Sequence, residues 1–472
     1  MNNRLIYMKD FYKVGHVHQY PEGTELIFSN FTPRKSKMDG VNHSVFFGLK
    51  YFIKKYLMGY MKSSLTCGEE ANMYEFFLNK TLGSSGNILH MRKLLELGYL
   101  PLAIYALPEK SVVPCGVPAL VMHNTHPDFY WLPNMLETIL SCTLWGPCTS
   151  ATIAREYRVL LDKFAEETSS CPGFVDYQGH DFSMRGMFGL EAAELSGSAH
   201  LQYFKGTDTI PAILFNKEYY NIPLDISSVP ATEHSVMSAG GRDNEFETYK
   251  RLITEVYPSG IVSIVSDTWN LWEVITDYLP RLKPEIMARQ GKVVIRPDSG
   301  DPADIICGAY QNGRMTDLEC KGVIELLWDI FGGTVNDKGF RELDPHIGCI
   351  YGDSITFDRA RDILRRLKLK GFSSTNVVFG IGSYTYQYNT RDTLGWAMKS
   401  TYAEIKGQGY PITKDPVTDD GTKKSHSGLL KVVKVEGSHG YTYKVLENQT
   451  WTEFYEKDNE LKLVFNNGKI LI

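Results

Sequence analysis

The chain has 472 residues, 43% of them hydrophobic and 22% charged, with 41 Gly and 21 Pro. That usage excludes a disordered or fibrous polypeptide and predicts two or three packed domains at roughly 100–200 residues each. Fifty basic against 55 acidic residues leave a formal charge of -5, so no overall cationic field attracts nucleic acid or an anionic membrane, and an anionic substrate needs local basic residues.

The first ten residues, Met1 to Asp10, carry no apolar core of the signal-peptide kind. No apolar run approaches the ~18 residues of a membrane span; the stretch 46–53 is broken by Lys50. Eight cysteines (67, 115, 142, 148, 171, 307, 320, 349) are scattered without a Cys-x-x-Cys pair, which reads as reduced thiols in a cytoplasmic protein. No internal repeat is visible.

Residues 1–165 mix short aromatic-rich strands with helical spacing of apolar residues over 87–97 and 133–144, an α+β pattern that ends at the polar break 166–173. From 166 to 395, β-branched runs alternate with amphipathic stretches. Gly260-Ile-Val-Ser-Ile-Val-Ser-Asp267 precedes a helix expected to end near Leu279, before Pro280. Lys292-Val-Val-Ile-Arg-Pro-Asp298, Gly348-Cys-Ile-Tyr-Gly-Asp353 and Asn376-Val-Val-Phe-Gly-Ile-Gly382 are further strands. Apolar strands separated by helices predict a parallel sheet covered on both faces, with right-handed crossovers that gather the strand ends on one side. The expected fold is α/β: an irregular parallel β/α barrel core, with a second α+β domain built from the N-terminal region and the C-terminal tail. In that tail (396–472), a long polar loop from Lys406 to Gly428 leads to a hairpin of 430–435 and 441–446 around Gly437 and Gly440.

Successive strands end in Ser266-Asp267, Arg296-Pro-Asp298, Gly352-Asp353-Ser354 and Gly380-Ile-Gly382-Ser383, the side on which a β/α barrel builds its site. Asp298 and Asp353 suit vicinal hydroxyls or magnesium, and Arg296 is a planar donor fork. Gly352-Asp353-Ser354 is expected to open a helix, and Gly382 with Ser383 could bring N–H groups to a phosphate, with Arg391 and Lys399 downstream. Asp419-Asp-Gly-Thr422 lies in a polar loop rather than after an apolar strand, so it reads as a turn and not as a pyrophosphate-sugar motif. Gly380-x-Gly382-x-x-Thr385 lacks a third glycine and a clear helix, against a dinucleotide fingerprint.

Taken in order, Asp10-Phe-Tyr12-Lys13, His180-Asp-Phe182-Ser-Met-Arg185, Gly206-Thr-Asp208-Thr209, Val229-Pro-Ala-Thr-Glu233-His234-Ser235, Ile295-Arg296-Pro-Asp298 and Gly352-Asp353 resemble the nicotinamide phosphoribosyltransferase family. The resemblance implies transfer of a phosphoribosyl group from phosphoribosyl pyrophosphate to nicotinamide, giving nicotinamide mononucleotide and pyrophosphate. It also implies magnesium, ATP as co-substrate, and a homodimer with shared active sites. By the same resemblance, Phe182 and Tyr12 sandwich the pyridine, with Tyr12 and Asp10 in the segment supplied by the other subunit. Asp208 meets the carboxamide, which it binds as acceptor while repelling the carboxylate of nicotinate. Arg296 holds the oxygen side of the ring, and Ser263 stands near the mouth of the same tunnel. Asp298, Asp353 and Gly352 bind the ribose, Arg185 contacts the phosphoribosyl portion, and Gly382, Ser383 and, from the partner chain, Arg391 and Lys399 meet phosphate. His234 is implied to be phosphorylated by ATP, oriented by Asp267 with Glu233 beside it; a neutral imidazole is a capable nucleophile. This chain departs from the family at Gly380-Ile-Gly-Ser-Tyr384, where the family loop is richer in glycine, and at Ala397, where it often has serine. A nicotinate-specific transferase, a non-catalytic nucleotide-binding protein of the same fold and, further off, a glycoside hydrolase using Asp298 and Asp353 are the rival readings.

Overall fold

The computed structural model describes residues 5–58, 68–83, 88–221, 225–309, 316–352, 355–414, 425–437 and 440–472. Asp353, expected in the site, and the 419–422 turn lie outside the described residues. The chain forms two compact units, residues 1–152 with 218–220 and 389–472, and residues 153–217 with 221–388.

In chain order, the first unit contributes strands β1 (Thr24–Pro33), β2 (Leu102–Ala106) and β3 (Leu120–Asn124), then helix α1 (Leu132–Thr168). The division between the units falls within α1, which ends at the polar stretch after Thr168. The second unit follows with strands β4 (Gly179–Asp181), β5 (Gly206–Thr207), β6 (Val262–Val265), β7 (Val293–Arg296), β8 (Ile347–Tyr351) and β9 (Val377–Ile381). Its helices include α2 (Leu190–His200), α3 (His234–Ser238), α4 (Glu245–Arg251), α5 (Leu279–Ala288), α6 (Phe357–Leu369) and α7 (Ser383–Gln387). The chain then returns to the first unit with β10 (Trp396–Ile405), β11 (Gln408–Pro411), the hairpin Leu429–Gly437 with Gly440–Gln449, and β12 (Lys462–Asn466) with β13 (Lys469–Ile470).

The first unit is built on a seven-stranded sheet in the order β11-β10-β1-β3-β2-β12-β13, whose pairs are antiparallel. Its strands begin and end the chain, so the C-terminal strands complete a sheet started by residue 24. The stretch from Lys406 is not wholly a loop: Lys406 and Gly407 both take positive φ, the two-residue geometry of a tight hairpin, and turn β10 into β11.

The second unit carries the expected parallel sheet, ordered β5-β4-β9-β8-β7-β6. Val262, Ile264, Val293, Ile295, Val377 and Phe379 are fully buried; β-branched and aromatic residues covered on both faces make such a sheet self-supporting. Its two edges are joined by the segment 227–231, which makes a parallel bridge to β5 at Gly206↔Ser227 and to β6 at Ala231↔Ser263. Pro230, which has no N–H to donate, prevents this segment from becoming a regular strand, yet its carbonyl accepts Ser263 N at 2.9 Å. The barrel is therefore irregular at this seam.

Two local expectations are corrected. The helix expected to stop before Pro280 continues to Ala288: a wide turn over Val274–Tyr278 precedes it, and Pro280 falls in the first turn of α5, where its missing N–H costs nothing. Gly382 does open a helix, the five-residue α7, for which it is the N-cap. Residues 353 and 354 lie outside the described residues, and the next described helix begins at Phe357, capped by Thr356 Oγ1 accepting from Arg359 N at 3.3 Å. Among the described residues no helix is long and apolar enough to cross a membrane, and no disulfide joins the seven described cysteines.

Candidate active site

Two adjoining cavities occupy the second unit. The outer one, about 530 Å³, is lined by Phe182, Arg185, Asp208, Glu233, Arg296, Asp298, Gly352, Gly382 and Ser383 together with Met184, Thr232 and Tyr384. The inner one, about 470 Å³, shares Phe182, Asp208 and Ala231 with the first and reaches past Ser263 to Lys292 and Asn376. Nine residues named from the sequence thus stand around one space at the C-terminal ends of the parallel strands, and Ser263 lines the space behind it. The Ser263 hydroxyl is buried without a partner among the described residues.

Each side chain is set by the strand or turn before it. Phe182 follows β4, and its N–H donates to Ile381 O at 3.0 Å. Its ring lies against Gly380: a Cβ there would come within 2.5 Å of the ring. Asp208 follows β5, with its N–H on Asp181 O at 3.0 Å. Its Oδ1 accepts from His180 Nε2 at 2.9 Å and from Ser228 Oγ at 2.6 Å. Burial pushes the Asp208 carboxyl up, but those hydrogen bonds and the charges of His180 and Arg296 outweigh it and hold the group below the usual carboxylate range. Arg296, at the end of β7, donates to Thr232 O. Burial pulls its guanidinium down against the attraction of Asp298, Asp208 and Asp267.

Asp298 approaches Gly352 so closely that a Cβ on the glycine would lie 2.5 Å from Oδ1. Asp267, nearly buried, accepts Asp298 N at 2.9 Å and Ser299 Oγ at 2.5 Å through Oδ2. Its Oδ1 has no hydrogen-bond partner among the described residues and stands 3.9 Å from His234 Nε2. Asp298 Oδ2 is also 3.9 Å from that nitrogen. His234 begins α3, half exposed, with Nδ1 3.1 Å from Thr268 Oγ1. Glu233, its N-cap, accepts from the Ser235 hydroxyl. Carboxylates beside Nε2 favour the tautomer with the proton there, which leaves the lone pair on Nδ1.

Tyr12, Asp10, Arg391 and Lys399 belong to the other unit. Tyr12 is exposed, and Asp10 accepts from Thr138 Oγ1 at 2.7 Å. Lys399 on β10 has its ammonium pulled down by burial, opposed by Glu137, and pulled further by the charges of Arg34, Lys414 and Arg391, so four cations share one locality. The sequence reading gave no role to His180, Ser228, Thr232 or Tyr384. His180 was legible as a neighbour of Phe182; Ser228 reaches Asp208 only through the irregular seam, which no periodicity signals.

A parallel β/α barrel with acidic and basic residues converging on a cavity at its strand ends has its candidate site where α/β-barrel enzymes carry theirs. The human nicotinic acid phosphoribosyltransferase has a similar fold: its crystal structure aligns with TM-score 0.59 at 15% identity, covering 98% of this chain and 90% of that one. So does the nicotinate-nucleotide pyrophosphorylase of Pyrococcus furiosus, with TM-score 0.55 at 14% identity, covering 99% and 90%. Residues 177–469 match the nicotinate phosphoribosyltransferase (NAPRTase) family model, and residues 4–104 match that of the nicotinamide phosphoribosyltransferase N-terminal domain. Nicotinamide phosphoribosyltransferase of Acinetobacter baylyi is 47% identical, covering 98% of this chain and 94% of the relative. The enzyme of that name from Mycoplasma pneumoniae is 35% identical over 89% and 93%. The chain belongs to the nicotinate phosphoribosyltransferase family, and it is an enzyme of the nicotinamide phosphoribosyltransferase type.

Proposed function

We propose that the chain transfers the 5-phosphoribosyl group of phosphoribosyl pyrophosphate to N1 of nicotinamide, releasing pyrophosphate and forming nicotinamide mononucleotide for NAD salvage. The observation that carries this reading is the convergence of Phe182, Asp208, Arg296 and Asp298 on one cavity. The pyridine nitrogen already has its lone pair, so no general base is required, and the chain's work is positioning and charge stabilisation. Phe182 takes one face of the ring, Asp208 accepts from the amide NH₂, and Arg296 donates to the amide oxygen. Asp298 accepts from ribose hydroxyls and faces the positive charge that develops at C1 as pyrophosphate departs. Arg185 with Ser383 and the Gly382 backbone meets phosphate.

Among the described residues no group of three or more His, Cys, Asp or Glu could cage a metal ion. Asp298 offers one carboxylate beside the bare Gly352, a donor set that fits magnesium held chiefly by substrate phosphates and water, with Asp353 its expected companion. Bound there, magnesium supplies neutralisation of pyrophosphate charge. We further propose a homodimer, in which Tyr12, Asp10, Arg391 and Lys399 of a partner complete each site, and ATP-coupled turnover. In that coupling the lone pair of His234 attacks the γ-phosphorus of ATP and ADP leaves, with Asp267 holding the ring's other nitrogen.

The test is mononucleotide formation from the pyrophosphate sugar, magnesium and either nicotinamide or nicotinate, with and without ATP. Turnover of the amide with stimulation by ATP is expected, together with loss of the stimulation but survival of basal turnover in His234→Ala. No product from the amide overturns the substrate assignment; undiminished stimulation in the variant overturns the phosphohistidine.

A further inference from the structure

The Asp208 carboxylate is held from one side only. His180 Nε2 and Ser228 Oγ both donate to Oδ1, at 2.9 and 2.6 Å, which fills both lone-pair directions of that oxygen. The imidazole cannot slide away, because it lies against the bare Gly206: a Cβ there would come 2.6 Å from Nδ1. Its other neighbour is the Phe182 ring, 4.8 Å away between centroids. Ser228 arrives from a different direction, on the seam that joins the sheet edges.

We propose that His180 and Ser228 are specificity-determining residues for the pyridine substrate: by loading one oxygen of Asp208 they keep it an anion and leave Oδ2 to meet the ring's amide. The inference rests on the reading of Asp208 as the residue facing that amide. An anion there repels the carboxylate of nicotinate, whereas a protonated Asp208 would donate a hydrogen bond to it. Burial by itself favours the protonated form, and the two donors, together with the charge of Arg296, reverse it. The charged or titratable groups that face Asp208 are His180 from β4 and Arg296 from β7. Arg296 is retained in every variant below, so its contribution cancels.

The experiment measures the ratio of kcat/KM for nicotinamide to that for nicotinate between about pH 6 and 9, on the full-length enzyme, for wild type, Ser228→Ala, His180→Gln, the double variant Ser228→Ala with His180→Phe, and Asp208→Asn. In the double variant the ratio should fall ~10-fold or more near pH 6 and climb back toward wild type near pH 9, as the carboxyl gives up its proton. His180→Gln, which keeps an N–H donor but not the imidazole's charge, should fall between wild type and the double variant. Ser228→Ala alters only an exposed hydroxyl and removes one of the two donors, so its ratio should move in the same direction by less, under about 2-fold at the acid end, and the result does not hinge on folding of the double variant. A flat, wild-type ratio in Ser228→Ala and in the double variant overturns the proposal. If Asp208→Asn keeps the full preference for the amide, the assignment of Asp208 fails, and this proposal with it. If Asp208→Asn loses the preference while the other profiles stay flat, only the role of the donors fails.

Discussion

Gly380 shows how little room a single methyl group has in this site. Its Cα faces the edge of Phe182, and a Cβ would stand 2.5 and 2.7 Å from two ring carbons and 3.0 Å from Tyr351 O. Backbone on one side cannot yield, so the ring must move into the cavity in which the pyridine is proposed to sit. Gly380→Ala is expected to raise KM for the pyridine substrate about tenfold and to cost roughly 1–3 kcal/mol of stability, the usual range for overpacking. Steady-state kinetics and denaturant melts measure the two effects; a KM equal to wild type would show that Phe182 does not bound the ring slot. At this scale the sequence displayed residue types well and their neighbours poorly. Arg296 stood out because it ends a strand, and Phe182 and Asp208 only through the family resemblance of their motifs, while the donors on Asp208 come from positions 28 and 20 residues away.

Behind the site, three elements are tied by one buried imidazole. His200, the last residue of α2, donates through Nε2 to Gly206 O at 3.0 Å and therefore presents Nδ1 to the Tyr386 hydroxyl, 2.7 Å away. It links β5, which leads into Asp208, to α7, which carries Ser383. Burial lowers its pKa to about 4, with Asp181 opposing and His180 assisting. The unfolded chain takes up a proton near the ordinary value of 6.5 and the folded chain resists until about 4, so folding stability must drop as pH falls through that window. At pH 5 the loss from this residue is about 2 kcal/mol relative to pH 8. His200→Gln carries no such proton, and its melts from pH 8 to pH 5 should decline less steeply than wild type by about that amount. Parallel declines would mean that His200 titrates normally. The elements themselves were legible where their chemistry is repetitive: the β-branched runs near 262, 293, 347 and 377 are the strands of the parallel sheet. They were illegible where geometry departs from repetition. A wide helical turn over Val274–Tyr278 leads into α5, whose first turn holds Pro280, and the positive φ pair Lys406-Gly407 makes a hairpin from what reads as polar loop. A buried tie such as His200–Tyr386 joins positions 186 apart and leaves no pattern in the sequence.

For the whole molecule, a net charge of -5 sets an electrostatic problem, because the proposed donor substrate is a polyanion. The cations available to it are split between the units: Arg185 and Arg296 line the barrel cavity, while Arg391, Lys399, Arg34 and Lys414 cluster in the other unit. The first unit also carries the exposed Tyr12. If the two sets serve one pocket across a subunit boundary, damage to either set alone should silence a homodimer, and mixing should restore it. Tyr12→Ala and Asp298→Ala subunits, each nearly inactive alone, are unfolded together in equal amounts and refolded. Half of the dimers are then hybrids, and in each hybrid one pocket receives the Asp298 of the first subunit and the Tyr12 of the second, both intact, while the other pocket is doubly damaged. Roughly a quarter of all pockets should therefore be whole, and activity should return to about that fraction of wild type. If instead Tyr12 and Asp298 meet within one chain, every pocket in every hybrid carries one lesion, and the mixture stays as inactive as its components.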